Sequence, residues 1–479
     1  MNFIKEFKFQ KKHIVWLIAV VQLLISAILG VQLAGMNLLP TLYFVLYVVA
    51  VLGLAALTVL VAKTKRRAII ICAVSAIVSI VMIVGVVALD KLNDTMNKVT
   101  GEDTTKTEMI ILVLKENKVE SITDLSQFNI GYMEEDKEER AAKVMDELNK
   151  AVGGSVNYHE FEAATDMVGA LFSKTMDAVI INSAYIEVLA EVEGFTDISE
   201  RTKSIYSNEI TEYMDIVENK DSNLEQFVVY ISGIDKFGHV SAKSRSDVNI
   251  LAVVNTKTKQ IQLINTPRDY YVQLPTKKNA YDKLTHAGLY GVKSSIKTLE
   301  QLYDIKIDYY IRMNFSGFEA IINALGGIDV YSEYDFTVEP IKHYVKGMNH
   351  LNGLEALAFA RERKSFAAGD NQRGKNQMAV IQATFDKLIS PEIIYNYTEV
   401  LGAVEGMIKT NLTPEDMYTL VRMQISDMSP WSFDTYAVTG SGEVLTTYSL
   451  PNTATYVMIP KESTVEKAKE KIKAILEAE

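Results

Sequence analysis

Three long apolar runs near the N-terminus constrain this chain more than anything that follows them. Ile14–Ala34, Thr41–Ala62 and Ala68–Leu89 hold 21, 22 and 22 residues without a formal charge. At about 1.5 Å per residue, each is long enough as a helix to cross a hydrocarbon core of about 30 Å. A signal peptide would show one shorter apolar region and a small-residue cleavage site, a pattern that three spans do not match. Basic residues set the expected orientation. Lys5, Lys8, Lys11 and Lys12 precede the first run, and Lys63, Lys65, Arg66 and Arg67 separate the second from the third, whereas Gly35–Pro40 is uncharged. Positive loops stay on the cytoplasmic side, so the N-terminus is expected in the cytoplasm and everything after residue 90 outside a plasma membrane that the chain crosses several times.

Charge narrows the partners. The first ninety residues carry eight basic groups and two acidic ones, so the formal −11 of the whole chain becomes −17 for residues 91–479. Binding to nucleic acid draws on counterion release at basic surfaces, which so acidic a portion lacks. The cytoplasmic segments, a short N-terminus and the Lys63–Arg67 loop, are too small for a DNA-binding domain. No nucleic-acid partner is expected, and any phosphate has to be held by a local cluster of cations. Cys72 is the only cysteine and lies in the third apolar run, which excludes an intramolecular disulfide and a zinc finger. None of the six histidines has metal-ligand spacing.

Beyond the spans, Asp90–Lys106 is polar and without apolar periodicity, as a linker would be. Met109–Leu114, Ile130–Met133 and Asp177–Asn182 read as strands and Asp136–Val152 as a helix, closed by Gly153 and Gly154; no catalytic constellation appears among them. After a polar joint at Asn219–Asn223, strands are expected at Gln226–Ser232, Asp247–Asn255, Gln260–Thr266, Ile307–Met313 and Ile328–Tyr331. Helices are expected at Val292–Tyr303, Phe315–Leu325, Leu351–Phe359, Asn376–Leu388, Pro391–Ile408 and Pro414–Ile425. The organisation read from this is a three-helix membrane anchor over 1–90, a linker over 91–106, a small α/β accessory domain over 107–219, and over 220–479 a larger α/β domain. That last domain is a mixed sheet with flanking helices and a C-terminal helical part.

Three arginines, Arg361, Arg363 and Arg373, fall within thirteen positions beside Gly369. Each guanidinium offers a planar fork that pairs bidentately with phosphate or carboxylate. Ion pairing with Glu362 and Asp370 on a solvated helix end is the competing reading of the same stretch. Asp235, Arg245, Asp247 and Arg268 fall at the ends of expected strands, where α/β sheets commonly bind ligands. Arginines hold phosphate and carboxylates hold Mg²⁺; together they suit a magnesium-bridged pyrophosphate, with Asp235 and Asp247 as candidate metal ligands. Arginine and metal would stabilise charge on a departing phosphate. Asp235 also fits a plain turn residue after Gly233, and Asp269 reads as a partner of Arg268 or a turn former. The sequence does not choose a general base between Asp247 and Asp235.

In chain order, Ser232-Gly233-Ile234-Asp235, Arg245-Ser246-Asp247, Thr266-Pro267-Arg268-Asp269, Ala360-Arg361-Glu362-Arg363 and Asp370-x-x-Arg373-x-x-Asn376-Gln377 resemble the motifs of the LytR-CpsA-Psr (LCP) family. Leu284-Thr285-His286-Ala287 and Gly326-Gly327-Ile328-Asp329-Val330 are similar to its connecting segments. With three spans and an accessory domain, the resemblance is nearest to the family's capsule-locus members. It implies an extracellular, membrane-anchored phosphotransferase that moves capsular polysaccharide or a related glycopolymer from an undecaprenyl-pyrophosphate carrier to peptidoglycan. Arg245, Arg268, Arg361, Arg363 and Arg373 would then grip the pyrophosphate, and Gln377 would add a head-group contact. Asp235 and Asp247 would hold Mg²⁺, or Mn²⁺ in its place, and Arg268, Asp247, Arg361 and Arg363 would form the catalytic centre. Asn376 stands where the family commonly has arginine, which bears on affinity or substrate choice. The implied partners are a polyprenyl-(pyro)phosphate-linked glycan, a peptidoglycan acceptor, the membrane and other capsule-synthesis proteins. A polyprenyl-pyrophosphate phosphatase, or a non-enzymatic regulator or sensor of capsule synthesis, is the alternative. A carrier lipid needs an apolar tunnel, for which Phe315–Leu325 and Met378–Leu388 are candidates; ordinary core packing explains the same apolar faces.

Overall fold

The computed structural model describes residues 2–100, 104–136, 140–213, 224–234, 242–390, 400, 402–403 and 405–478, with side chains from residue 13 onward. Two compact units emerge: one is residues 1–100 with 397–405 and 412–430, and the other is the remainder.

In the first unit the apolar runs are helices α1 (Asn2–Gly35), α2 (Thr41–Val61) and α3 (Lys65–Val99), each long and apolar enough to cross a membrane. Some of their polar groups link one helix to another. Thr58 Oγ1 and Ser75 Oγ are 2.6 Å apart, and the Tyr47 hydroxyl donates to the Ser26 carbonyl at 2.6 Å. Such contacts join helices in lipid, where the hydrophobic effect does not. Helix α3 departs from expectation by running ten residues beyond Leu89, through most of the segment read as a linker. Its last turns have partners of their own: Thr95 and Val99 are buried, Lys98 reaches Asp94 at 2.8 Å and Glu405 at 2.9 Å, and Tyr418 on the helix Pro414–Ser426 donates to Asn93.

The second unit contains two main sheets. The first takes strands β1 (Thr104–Leu114), β2 (Asn129–Met133), β3 (Asn157–Phe161), β4 (Ala178–Asn182) and β5 (Thr202–Tyr213) in the order β3-β2-β4-β1-β5. Helix α4 (Ala142–Val152) covers one face, where Val144 and Leu148 meet Ile111, Val113 and Ile180. Helices α5 (Ala164–Phe172) and α6 (Ala184–Leu189) cover the other, where Met167, Leu171 and Val188 meet Ile110, Leu112 and Val179. Covered on both faces, β1 is a continuous apolar run rather than an alternating one. Strands β3 and β5 were not expected. Both are edges of the sheet and interleave polar residues, so neither shows an apolar run.

The second sheet sets up the site. Strands β6 (Gln226–Ile234), β7 (Ser246–Asn255), β8 (Gln260–Asn265), β9 (Tyr309–Asn314), β10 (Ile408–Thr410) and β11 (Ser432–Ala437) lie in the order β10-β9-β6-β7-β8-β11. β9 runs parallel to β6 and β7 antiparallel to it. Successive side chains of a strand point to opposite faces. Val228 and Tyr230 of β6 therefore enter a core with helix α7 (Val292–Tyr303), while Ile231 and Gly233 face a cavity on the other side. Helices α8 (Phe315–Ala324), α9 (Gly353–Arg361) and α10 (Asp370–Leu388) supply residues to that cavity.

Three C-terminal readings change. Leu351 ends a strand, and α9 begins at Gly353 behind an Asn352–Glu355 capping box. Helix α10 begins at Asp370, six residues before the expected Asn376. The part expected to be helical also holds β11 and a hairpin of β12 (Gly440–Thr447) and β13 (Leu450–Pro460), before the last helix α11 (Glu462–Leu476). Much of the hairpin is exposed, Val444 and Tyr456 among its apolar residues, and burial is confined to stretches such as Val457–Met458. The helix expected at Pro391–Ile408 falls mostly outside the described residues, and Ile408 opens β10.

Close packing of α10 onto β8 rests on a glycine. A Cβ on Gly374 would lie 2.1 Å from Asn265 Nδ2. Alanine gains about 1 kcal/mol in helix propensity, and overpacking of a tight core costs about 1–3 kcal/mol, so the clash prevails. Gly374→Ala is expected to lower the thermal unfolding midpoint; a raised midpoint would mean that Asn265 swings aside freely.

Candidate active site

Seven of the eight residues expected at the site line one cavity of about 450 Å³: Arg245, Asp247, Arg268, Arg361, Arg363, Arg373 and Gln377. Asp235 lies outside the described residues. The remaining wall is largely apolar, with Ile231, Val248, Ile311 and Met313 from the sheet and Phe315, Ile321, Val380, Ile381 and Phe385 from the helices. The cavity thus has a cationic wall and an oily wall, within the size range of ligand sites.

Arg245 and Asp247 flank the start of β7, and Arg268 follows β8 across Thr266 and Pro267. The Arg268 guanidinium lies across the Asp247 carboxylate, its Nη1 donating to both oxygens at 3.1 and 3.2 Å. Thr285 donates to Asp247 Oδ1 at 3.0 Å. Burial acts to raise the Asp247 carboxyl, but Arg268, Arg245 and Arg373 outweigh it and hold it at about 2. Behind this pair, Ser232 and Ser246 hydroxyls lie 2.8 Å apart and the Tyr230 hydroxyl donates to Asn249 at 2.6 Å, tying the end of β6 to β7. Asp269, 3.8 Å from Arg268 Nε and 3.6 Å from Lys283 Nζ, sits between two cations.

Arg361 is the last residue of α9, its guanidinium 4.3 Å above the Phe315 ring. Arg373 and Gln377 are one turn apart on α10, and Arg373 reaches back to Asp370 at 2.5 Å. The ion-pair reading of this stretch therefore holds for Asp370, whereas Glu362 instead accepts from the Ser365 backbone at 2.7 Å. Desolvation lowers the Arg373 pKa and raises that of Asp370, as burial of a partly compensated pair should. Asn376 does not line the cavity. It is buried, donates to the Phe359 carbonyl at 3.3 Å and accepts from Gln372 at 3.1 Å.

One lining residue comes from the accessory region, where the sequence showed no chemistry. Glu191, just after α6, accepts from Arg245 Nη1 at 2.5 Å and lies 3.7 Å from Arg268 Nη2. Glu187, one turn earlier, is 3.6 Å from Arg245 Nε. Only the i, i+4 spacing of Glu187 and Glu191 hinted at a shared face, and many solvated segments show that spacing. Five guanidinium groups thus face two described carboxylates, and the Nε atoms of Arg245 and Arg268 are buried without a hydrogen-bond partner. That excess of positive charge suits a multiply charged phosphate.

Mg²⁺ takes one or two protein carboxylates and completes its octahedron with phosphate oxygens and water. Asp247 fits one such position, being ionised and at the cavity wall. Among the described residues no group of three or more His, Cys, Asp or Glu is arranged to hold a metal, so a magnesium here would lean on the phosphates.

An arginine that only gripped ligand could be removed without harm to the fold, but Arg268 also compensates a buried carboxylate. Removing one partner of such a pair costs about 3–5 kcal/mol. Arg268→Ala is expected to destabilise the protein, whereas Arg268→Lys keeps the charge and loses the bidentate fork. The depressed Asp247 pKa means its stabilisation is complete above about pH 4, the ordinary carboxylate range, and is lost as pH falls toward 2. In Arg268→Ala this acid limb should move to higher pH in unfolding midpoints measured against pH; an unmoved limb would show that Asp247 does not depend on Arg268.

Comparison with known proteins identifies the family of the chain. A family model described as the LytR_cpsA_psr family matches residues 188–474. The polyisoprenyl-teichoic acid–peptidoglycan teichoic acid transferase TagU of Bacillus cereus (strain AH820) is 36% identical over 205 residues, covering 43% of this chain and 66% of that protein. TagT of Bacillus subtilis (strain 168), of the same description, is 36% identical over 211 residues, covering 42% and 64%; the match thus spans just under two thirds of these relatives. Among solved structures, B. subtilis TagV has a TM-score of 0.45 at 29% identity, covering 54% of this chain and 100% of that one. TagT bound to LI-WTA has a TM-score of 0.43 at 28% identity, covering 55% and 95%. With the family model spanning more than half of its length, the chain belongs to the LytR_cpsA_psr family.

Proposed function

We propose that this chain is a phosphotransferase that moves a glycopolymer, capsular polysaccharide in our reading, from a polyprenyl-pyrophosphate carrier to a hydroxyl of peptidoglycan. The observation that carries the proposal is the continuity of one cavity, guanidinium groups on one wall and apolar side chains on the other. A lipid-linked pyrophosphate needs both and a soluble nucleotide does not. Support comes also from relatives whose names describe transfer of teichoic acid to peptidoglycan.

In this reading Arg245, Arg268, Arg361, Arg363 and Arg373 bind the two phosphates and Gln377 adds a polar contact to the head group. The prenyl chain lies against Ile231, Ile311, Phe315, Val380 and Phe385. Fixing the pyrophosphate among preorganised guanidinium groups favours charge on the departing phosphate without reorganisation of water, and the apolar wall limits access of competing water. The acceptor oxygen forms a bond to the glycan-linked phosphorus. The bond from that phosphorus to the oxygen of the leaving polyprenyl phosphate breaks, its electron pair staying on that oxygen. Asp247, with Asp235 as the second proposed ligand, would hold Mg²⁺ against the phosphate oxygens; when bound, the ion would neutralise charge on the leaving group. The basic flanks of the spans support an extracellular catalytic unit, tethered where the carrier lipid is.

The test uses the full chain purified in detergent. Organic extraction and mass spectrometry should find a retained polyprenyl phosphate or pyrophosphate, or added polyprenyl pyrophosphate should bind. Transfer from a lipid-linked glycan to a peptidoglycan fragment should follow, whereas glycan phosphate released to water would favour a phosphatase. Absence of both retained and bound lipid would sink the proposal. Arg363→Ala, at an exposed cavity residue, is expected to weaken lipid binding by about 10–100-fold, the worth of one charge-assisted hydrogen bond, with little change in unfolding midpoint.

A further inference from the structure

We propose that Glu191 is the general base that takes the proton from the acceptor hydroxyl. This inference rests on the transferase reading above. Two described carboxylates line the cavity, and their surroundings differ. Asp247 has both oxygens engaged: Oδ1 accepts from Arg268 and Thr285, and Oδ2 from Arg268. Its side chain is 12% exposed and its charge is committed to holding Arg268. Glu191 uses one oxygen only. Oε1 faces Arg245 at 2.5 Å and Arg268 at 3.7 Å, while Oε2 has Lys283 Nζ at 4.0 Å, beyond hydrogen-bond distance. The side chain is 37% exposed, so a sugar hydroxyl arriving from solvent can reach it. A general base needs an accessible lone pair within hydrogen-bond reach of the proton it removes; Oε2 of Glu191 accepts no hydrogen bond, whereas both Asp247 oxygens already accept from Arg268.

The neighbours that hold this carboxylate also make its basicity depend on substrate. The groups facing it are Arg245, Arg268 and Lys283, with Glu187 on α6 sharing Arg245. Burial acts to raise the Glu191 carboxyl, but Arg245 and Arg268 outweigh it and keep it below its ordinary value. A pyrophosphate on those two arginines brings negative charge that offsets theirs, so the proton affinity of Glu191 rises when the donor is in place. In the step itself the hydroxyl proton passes to Oε2, the hydroxyl oxygen bonds to phosphorus, and the phosphorus–oxygen bond to the leaving polyprenyl phosphate breaks with its electron pair. The protonated Glu191 then releases its proton to water as the leaving phosphate departs and the arginines draw its pKa down again. The base thus comes from the turn after α6, and the phosphate grip from the ends of β7 and β8 and from α9, α10 and the loop between them.

The experiment compares the full-length wild type with Glu191→Gln and Glu191→Asp in detergent, using a synthetic polyprenyl-pyrophosphate disaccharide as donor and a soluble peptidoglycan fragment as acceptor. Glu191→Gln is expected to lower kcat by about 10²–10⁴-fold while the dissociation constant for the donor changes less than about threefold. The acid-side limb of the wild-type pH profile should vanish with it, and Glu191→Asp should restore part of the rate with that limb. A Glu191→Gln rate within about threefold of wild type, or a loss of donor binding in proportion to the loss of rate, overturns the assignment; the latter result makes Glu191 a positioning residue for the arginines. Wild-type protein that binds donor but transfers nothing overturns the transferase reading itself, a result distinguishable from normal wild-type transfer with an undiminished variant.

Discussion

Everything at the site depends on keeping five guanidinium groups in one cavity when no phosphate is there to attract them. Like charges at such spacing repel, and each gives up hydration on burial. The structure answers with carboxylates placed at fixed points. Asp247 lies under Arg268, Glu191 beside Arg245, Asp370 beside Arg373 and Asp269 between Arg268 and Lys283. Asp247 lies near the start of β7 and Arg268 three residues past the end of β8, so the pairing of these adjacent strands brings the two together. The compensation is incomplete at the cavity wall itself, and the surplus of positive charge is what makes an anion welcome there.

The expected fold was legible to differing depths. Long apolar runs gave the three helices because nothing but helix satisfies the backbone in lipid, and Val292–Tyr303 was read residue for residue because its apolar spacing is regular. Strands β3 and β5 and the β12–β13 hairpin were not legible, since edge and exposed strands carry polar residues on the very positions that signal a strand when apolar. The end of the third helix was misplaced for a related reason. Asp90–Val99 is polar, and its helical state rests on partners such as Glu405 and Tyr418, more than three hundred residues away.

The site was legible in its cations and not in their counter-charges. Arg245, Arg268, Arg361, Arg363 and Arg373 announce themselves by residue type in an acidic chain. Glu191 does not, because a glutamate in the turn after a short helix reads as solvent-facing until the fold brings it to an arginine 54 positions later. Asn376 shows the converse. This motif residue, read only for its bearing on ligand, also joins α10 to α9 through the Phe359 carbonyl.

Strand β6 carries two obligations on alternate residues: Val228 and Tyr230 belong to the core with α7, Ile231 and Gly233 to the cavity. Mutational tolerance along it is therefore unequal in kind. Substitutions that preserve size act on one face at a time and can be selected separately for stability or for ligand. An insertion or deletion of a single codon turns both faces over at once. Lineages derived from such a gene should vary freely in the identity of these side chains and hardly at all in the length of the strand.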